Sequence, residues 1–258
     1  THNKNRVGKY VYSVASIQDE LYEVDSVVSN SVEIVFDKVL LTLDTVDSRI
    51  DVGDRVNITI EGRYAYDNEE LWGQAILNNM NKRSNTVGNY EYKISEIEDY
   101  KYGLTQFSSN TLEIIWDRIQ IQLETEHERI NIGEEAPITW TGYYEYDGRP
   151  ANEFVEVSLN SEEFLRDSVG AFEYEIIAIE DPLHGLSSYS MNPLMIIWDI
   201  VDATVEFSED RIGVSTEANP RIHATYRSDG TKFKGTYTLN NSLVHDTIGK
   251  QGFTRARP

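Results

Sequence analysis

The stretch "LEIIWDRI", from Leu112 to Ile119, changes the face on which its apolar residues lie. Before Asp117 the apolar residues Ile114 and Trp116 occupy even positions, and after it the apolar residues occupy odd positions. The odd set consists of Ile119, Ile121 and Leu123. Because the side chains of a β-strand alternate between two faces with period two, the inward face switches at "WD". The same switch occurs at "VEIVFDKV" and at "LMIIWDIV".

We interpret this switch as a junction between two β-sandwiches. Residues before the aspartate would be buried in one sandwich and residues after it in the next, with a kink or bulge at the acidic residue. A single near-continuous strand would then leave one domain and enter its neighbour. The predicted junction residues are Phe36 and Asp37, Trp116 and Asp117, and Trp198 and Asp199.

The chain contains three copies of one pattern, with a period of about 80 residues. The segments "VGKYVYSV", "VGNYEYKI" and "VGAFEYEI" begin at Val7, Val87 and Val169. An arginine recurs at intervals of 80 and 82 residues, as Arg49, Arg129 and Arg211. A turn aspartate recurs in step with it, as Asp67, Asp147 and Asp229. A repeat of this length is the size of a small β-sandwich.

Each repeat consists of short strands with one wet face. In "PITWTGYYEY" one face carries Ile138, Trp140, Gly142, Tyr144 and Tyr146. Such alternation is typical of half-buried strands in antiparallel sheets. Turn signals such as "DG", "VG" and "SN" bound these strands, and no convincing amphipathic helix is present. The predicted fold class is all-β, with tandem antiparallel β-sandwich domains.

Composition excludes several classes of protein. The net charge of −21 argues against a nucleic-acid partner and against anionic lipid, because both require a basic surface. No apolar run approaches the ~20 residues that span a bilayer, so we predict no membrane insertion. The absence of cysteine excludes disulfides, thiolate nucleophiles and zinc sites with cysteine ligands.

The segments "YGLTQFSSNTLEIIWDRI" and "RINIGEEAPITWTGYYEYDGRP", with a "G-x-Y-x-Y" strand before the first, resemble a known pattern. They are similar to the bacterial Ig-like and invasin-type repeats found in tandem in secreted and cell-surface proteins of archaea and bacteria. The resemblance implies Ig-like sandwiches, an extracellular or cell-surface location, and a role in stalks, filaments, surface layers or adhesins. It implies no shared catalytic residues. The third repeat departs from the pattern at Ser215 and Ser228.

The repeat frame predicts two complete domains, residues 38–117 and 118–199. Residues 1–37 would hold only the later strands of such a domain and are a candidate donor segment. Residues 200–258 would hold only the earlier strands and are a candidate acceptor. The predicted donor residues are Tyr10, Tyr12, Val14, Val32 and Ile34. An incomplete sandwich exposes strand edges and a bare core, which is costly.

Three explanations of the incomplete ends remain open. The sequence could be cut at an arbitrary fragment boundary, or each unit could run from "VG" to "LN" and close by itself. Alternatively, the donor segment of one molecule completes the acceptor of the next, which produces a fibre of the chain with itself. Finally, the two ends could pair within one chain.

We expect a structural protein rather than an enzyme. The five histidines are scattered, and no nucleophile elbow, phosphate-binding loop or zinc-protease motif is present. The predicted function is a non-catalytic subunit of an extracellular filament or cell-surface array, polymerised head to tail. The alternative is an adhesin or carbohydrate-binding stalk, with a glycan ligand at the outward-facing Tyr143.

No cofactor is required, although acidic residues cluster near the predicted domain ends. Calcium would be the cation that such oxygen ligands select, while solvated loop acids are the alternative. The calcium candidates are Asp19, Glu98, Asp99, Asp117, Asp181 and Asp199. Two sequons, at Asn57 and Asn240, are candidate glycosylation sites if the protein is exported.

Overall fold

The computed structural model describes residues 3–239 and the strands Val244–Ile248 and Phe253–Arg257. This part of the chain is all-β, and it contains no helix that is long and apolar enough to cross a membrane. Its strands, in chain order, are β1 (Gly8–Ser13), β2 (Ser31–Phe36), β3 (Val39–Asp44), β4 (Arg49–Asp51), β5 (Thr59–Tyr64), β6 (Gly73–Leu77), β7 (Gly88–Tyr92), β8 (Ile94–Asp99), β9 (Phe107–Ser109), β10 (Leu112–Asp117), β11 (Ile119–Thr125), β12 (Arg129–Asn131), β13 (Ile138–Tyr144), β14 (Glu156–Leu159), β15 (Gly170–Tyr174), β16 (Ile176–Glu180), β17 (Tyr189–Asn192), β18 (Leu194–Asp199), β19 (Val201–Glu206), β20 (Arg221–Tyr226), β21 (Val244–Ile248) and β22 (Phe253–Arg257).

The strands belong to two compact units. The first unit takes in the chain through Thr125, together with Ile138–Glu162 and Tyr174–Leu194. The second unit takes in Glu126–Pro137, Glu163–Glu173 and the chain from Met195 onward. Asn240 lies outside the described residues. The predicted acceptor segment 200–258 is described as far as residue 239, and beyond that only in β21 and β22.

In the first unit, the strands from β3 to β10 form three small sheets around one core. The sheets have the strand orders β5-β3-β9, β4-β10-β7 and β6-β8. Antiparallel and parallel pairings are mixed, since β10 pairs antiparallel with β7 and parallel with β4. The buried core cluster draws on all three sheets: Val39, Leu41, Leu43, Val56, Ile58, Tyr64, Leu77, Tyr92, Ile94, Ile97, Ile114 and Trp116. Inward-facing side chains from several sheets thus give a sandwich-like arrangement.

The change of face in "LEIIWDRI" appears directly in the burial of β10 and β11. Ile114 and Trp116 are buried in β10, and Asp117, the residue that follows, is buried as well. After the break at Arg118, burial alternates again from Ile119 onward in β11. A single residue outside the strands therefore lets successive strands turn opposite faces inward, with no linker between them.

The same pairings recur further along the chain. The first unit also contains the sheet β13-β11-β17, the pair β14-β16 and the N-terminal pair β1-β2. The second unit holds the sheet β12-β18-β15, apart from the end residues Tyr174 and Leu194, and the pair β19-β20. The pairing of β12 with β18 is parallel, as is that of β4 with β10. The sequence repeat is therefore also a repeat of strand register.

The serine in the third repeat keeps the backbone conformation of the glycines it replaces. Gly53 and Gly133 have φ angles of 93° and 76°, and Ser215 has a φ of 68°. A side chain in this left-handed region is disfavoured, and glycine has no such penalty. The turn is thus retained in the third repeat at some cost in backbone strain.

Replacing Trp116 with alanine should destabilise the first unit strongly. The indole is 1% exposed, its Nε1–H donates to the Asp54 carbonyl at 2.9 Å, and its ring meets Tyr90 edge-on. Loss of this packing should lower the free energy of unfolding by about 3–5 kcal/mol, measured by urea titration. The matched control is Trp72→Ala, because Trp72 is 64% exposed and its loss should cost about 0.5 kcal/mol or less. Equal losses for the two variants would contradict this assignment of the core.

Candidate functional site

Each junction aspartate holds the hairpin that follows it in sequence. Its Oδ1 accepts a hydrogen bond from a backbone N–H of that hairpin, 29 residues later in the sequence in all three cases. The donors to Asp37, Asp117 and Asp199 are Tyr66, Tyr146 and Ser228, at 2.9, 2.9 and 3.0 Å. Because the carboxylate comes from the end of one repeat and the hairpin from the next, the contact fixes the junction.

At the junction of Asp117, Arg49 binds both the junction aspartate and an aspartate of the hairpin that follows. Its Nε donates to Asp117 Oδ2 at 3.0 Å, and its Nη1 donates to Asp147 Oδ2 at 3.0 Å. Its guanidinium carbon lies 4.6 Å from the centroid of the Tyr144 ring. Asp117 is fully buried and Arg49 nearly so. We call this arrangement of an arginine between a junction aspartate and a hairpin aspartate an arginine clamp.

The second unit contains the same clamp, built from the next copy of each residue. Arg129 Nη1 donates to Asp199 Oδ2 at 2.6 Å, and Nη2 donates to Asp229 Oδ2 at 2.6 Å. The guanidinium carbon lies 4.3 Å from the centroid of the Tyr226 ring. Ser228, one of the departures from the repeat pattern, adds a hydroxyl donor to Asp199 at 2.7 Å. The clamp is therefore a property of the repeat, and the planar guanidinium suits it because one group can donate to two carboxylates.

The clamp arginines lower the pKa of the hairpin aspartates. Burial would raise the pKa of Asp147, but the hydrogen bonds from Arg49 and from the Arg149 backbone N–H outweigh burial and lower the pKa. The hydrogen bond from Arg129 holds the pKa of Asp229 far below its usual value. Arg49 and Arg129 therefore stabilise the ionised form of the hairpin aspartates Asp147 and Asp229.

In two of the repeats a buried tyrosine donates its hydroxyl to a buried aspartate. The Tyr144 hydroxyl donates to Asp181 at 3.0 Å, and the Tyr64 hydroxyl donates to Asp99 at 2.5 Å. Burial and the hydrogen bond to Asp99 raise the pKa of Tyr64 to about 12. Burial, with the nearby Arg49 charge, lowers the pKa of His184, whose ring lies edge-on to Tyr144. These tyrosines therefore stay neutral and act as rigid hydrogen-bond donors.

Asp51, in the same strand as Arg49, makes a second contact with the following repeat. Its carboxylate accepts the Ser187 hydroxyl at 2.6 Å, the Ser187 backbone N–H at 3.0 Å and the Ser188 backbone N–H at 2.8 Å. Strand β4 thus presents two charged side chains of opposite sign to the next repeat, which favours one orientation over others.

The predicted calcium candidates are distributed among local hydrogen bonds. Asp117 and Asp199 belong to the clamps, and Asp99 and Asp181 accept the tyrosine hydroxyls. Asp19 accepts the Leu21 backbone N–H at 2.8 Å, and Glu98 accepts the Gln74 side-chain amide at 2.6 Å. In the part of the chain that the structure describes, no three acidic or histidine side chains form a group that could hold a metal.

The predicted donor residues, Asn57 and Tyr143 lie on exposed or half-exposed surface, whereas the predicted junction residues Trp116 and Trp198 are buried. Tyr10 and Tyr12 lie in β1 and Val32 and Ile34 in β2, while Val14 follows the end of β1. Asn57 is exposed just before β5, and Asn240 is outside the described residues. Tyr143 is 45% exposed in β13, and its hydroxyl donates to Gln120 at 2.6 Å.

Sequence reasoning identified every clamp residue as a repeated residue but did not bring them together. The signal that could have done so is the constant spacing of the aspartates, which lie 30 residues apart in all three copies. Comparison with known protein families finds none that matches the chain, and no curated protein matches its sequence either.

Replacing Arg49 with methionine should destabilise the first unit. The change keeps the aliphatic volume but leaves the buried Asp117 carboxylate without its counter-ion. Removing one partner of a buried ion pair should lower the free energy of unfolding by roughly 3–5 kcal/mol, measured by urea titration.

The control is Arg63→Met in the neighbouring strand β5, where the arginine is exposed and makes no ion pair among the described residues. That variant should stay within about 0.5 kcal/mol of the wild type. An Arg49→Met protein as stable as Arg63→Met would show that the clamp does not stabilise the junction.

Proposed function

We propose that the chain is a non-catalytic structural subunit of an extracellular filament or cell-surface array. It would be built from tandem Ig-like sandwiches, and copies would join head to tail by β-strand complementation. One observation carries the proposal: the β1-β2 pair and the β19-β20 pair repeat two complementary halves of the complete repeat, and among the described strands neither pair has the third strand that the other half would supply.

The N-terminal pair corresponds to the later half of a repeat. Gly8 pairs with Phe36 and Tyr10 with Ile34, in the same register in which the copies 80 residues later pair in β7 and β10. In the complete repeat the second edge of β10 is taken by β4. Among the described strands, β2 has no such neighbour. Ile34 is 46% exposed, whereas its copy Ile114 is fully buried.

The pair β19-β20 corresponds to the earlier half. Val201 pairs with Tyr226, in the register in which Ile119 pairs with Tyr144 in β11 and β13. In the complete repeat a third strand, β17, adds parallel to β11. No described strand occupies that position beside β19. Val201 is 39% exposed, whereas its copy Ile119 is fully buried.

The two halves supply each other's missing strands. Residues 27–29 correspond to strand β9, so in a second copy they would lie parallel to residues 201–203, as β9 lies along β3. Asn30 corresponds to Asn110, whose side chain both donates to the Leu43 carbonyl and accepts the Leu43 N–H. In the joint, Asn30 would make the same pair of bonds to Val205. The open edges of β2 and β19 would then be covered, which removes the penalty of leaving these two strand edges unpaired.

The contact uses different surfaces on the two partners, because the donor and the acceptor are different segments of the chain. Such a heterologous contact leaves a free donor and a free acceptor after each addition, and it extends without limit when the rotation does not close a ring. Each buried apolar side chain contributes about 1.5–3 kcal/mol to the joint. Copies joined in this way form a filament, which suits a mechanical role.

Replacing Ile34 with lysine should abolish assembly. In the joint this side chain would enter the core of the acceptor, where an unpaired ammonium group is strongly disfavoured. We expect the wild-type chain to form fibres under electron microscopy and to sediment, whereas Ile34→Lys stays soluble and folded. Deletion of residues 1–37 should have the same effect.

The matched control is Val46→Lys, which introduces the same charge at a loop position that is 91% exposed. This variant should assemble as the wild type does. Filaments of the truncated chain, or a wild-type chain that remains monomeric, would rule out strand complementation between copies.

A second candidate function is glycan binding by a stalk of these repeats. It is favoured by the outward face of the sheet β13-β11-β17, where the half-exposed Tyr143 is surrounded by the amides and hydroxyl of Gln120, Gln122, Thr141 and Asn192. An aromatic ring flanked by amides offers a stacking surface and hydrogen bonds to a sugar.

A glycan array would test this candidate. Binding by the wild type should fall about tenfold or more in Tyr143→Ala, because the stacking surface is removed. The control Tyr100→Ala removes a tyrosine that is 58% exposed on another repeat, and it should bind as the wild type does. No array signal for the wild type would count against glycan binding and would leave the filament proposal unaffected.

A further inference from the structure

We infer that the joint between two copies contains its own arginine clamp, in which Arg211 of one copy bridges Asp37 and Asp67 of the next. The inference rests on the proposed head-to-tail assembly, and it identifies the charged contact that sets the register of the joint. The chain contains both the two aspartates and the arginine of this clamp. Among the described residues, the aspartates and the arginine form no ion pair with each other.

The acceptor side consists of Asp37 and Asp67. They lie 30 residues apart, as do the aspartates of the two clamps within the chain. Asp37 Oδ1 accepts the backbone N–H groups of Lys38 and Tyr66, and Asp67 Oδ1 accepts the Glu69 backbone N–H at 3.1 Å. The contacts from Tyr66 and Glu69 match those that Asp117 and Asp147 accept in the complete clamp, and the contact from Lys38 matches the one from Ile200 to Asp199. No arginine is ion-paired with Asp37 or Asp67 in the described part of the chain.

The tyrosine ring on which the clamp arginine stacks also has a counterpart on this side. Tyr64 corresponds to Tyr144 and is fully buried, and its ring meets Tyr102 edge-on, as Tyr144 meets His184. The cation beside the Tyr64 ring is Lys101, whose Nζ lies 5.9 Å from the ring centroid and is ion-paired with Glu69. Lys101 therefore lies near the site but forms no ion pair with Asp37 or Asp67 among the described residues.

The donor side is Arg211. Its copies Arg49 and Arg129 each begin a three-residue strand, β4 or β12, that pairs parallel with the strand ending at the junction aspartate. Arg211 is exposed and forms no strand, and the next residue, Ile212, is 38% exposed. Such a short strand depends on its partner, and no described strand pairs with residues 211–213.

Completing the joint would bring the two sides together in a defined register. In the complete repeat Ile115, Trp116 and Asp117 pair with Arg49, Ile50 and Asp51. The same register would pair residues 35–37 of one copy with residues 211–213 of the other. Arg211 would then lie beside Asp37 and over Tyr64, within reach of Asp67.

The role of this clamp is to select one register and one orientation. A strand joint held only by backbone hydrogen bonds can slip, and a shift of one residue turns every side chain to the opposite face. A slipped joint would leave Asp37 partly buried with no counter-ion, which is strongly disfavoured. Since each copy carries a net charge of −21, an arginine at the contact also offsets local repulsion between acidic surfaces.

A charge exchange tests the inference, with the critical concentration for assembly measured by sedimentation. Arg211→Glu and Asp67→Arg should each raise this concentration by about tenfold or more, because each places like charges at the joint. The double variant, Arg211→Glu with Asp67→Arg, should recover most of the loss, because every joint then contains one exchanged pair. Arg221→Glu is the control, since it makes the same charge change at an exposed position in β20.

The outcomes separate the clamp from the assembly itself. A wild-type chain that stays monomeric overturns both the proposed function and the clamp. A wild-type chain that assembles, with Arg211→Glu assembling at the same concentration as the wild type, overturns only the clamp. Failure of the double variant to recover, with circular dichroism showing each variant folded, also overturns the clamp.

Discussion

The burial of an aspartate beside an arginine at the junction constrains the rest of this structure. Asp117 is fully buried, and a carboxylate in that position is tolerated only when its charge and its hydrogen-bonding capacity are satisfied. Arg49 supplies the charge and the Tyr146 backbone supplies a donor. These partners come from a strand 68 residues earlier and from a hairpin 29 residues later, so one side chain determines where both must lie.

The clamp explains how successive sandwich-like layers follow one another without linker residues. Only Arg118 separates β10 from β11, and only Ile200 separates β18 from β19. So short a connection would leave the relative rotation of the strands undetermined if backbone geometry alone acted on it. The guanidinium fixes this rotation, because its donors have fixed directions and must reach two carboxylates at once.

Strand edges account for the difference between the middle of the chain and its two terminal pairs. Where a third strand adds to a pair, as β17 does beside β11, the inward residues Ile119 and Leu123 are buried. Where no described strand adds, the same positions are partly exposed, as at Val201 and Val205. The pairing register is nevertheless unchanged, so local pairing does not depend on completion of the sandwich. Completion determines burial, and burial provides most of the stabilisation.

The sequence by itself determined the strands, the change of inward face at "WD", the length of the repeat and the residues that recur in it. These features follow from alternation over a few residues and from self-similarity, both of which can be read along one chain. Only the tertiary structure decided that Arg49 meets Asp147, 98 residues away, and that Asp99 and Asp181 accept tyrosine hydroxyls. Local periodicity specifies which face a side chain occupies, whereas the identity of its partner depends on which distant strands are brought alongside.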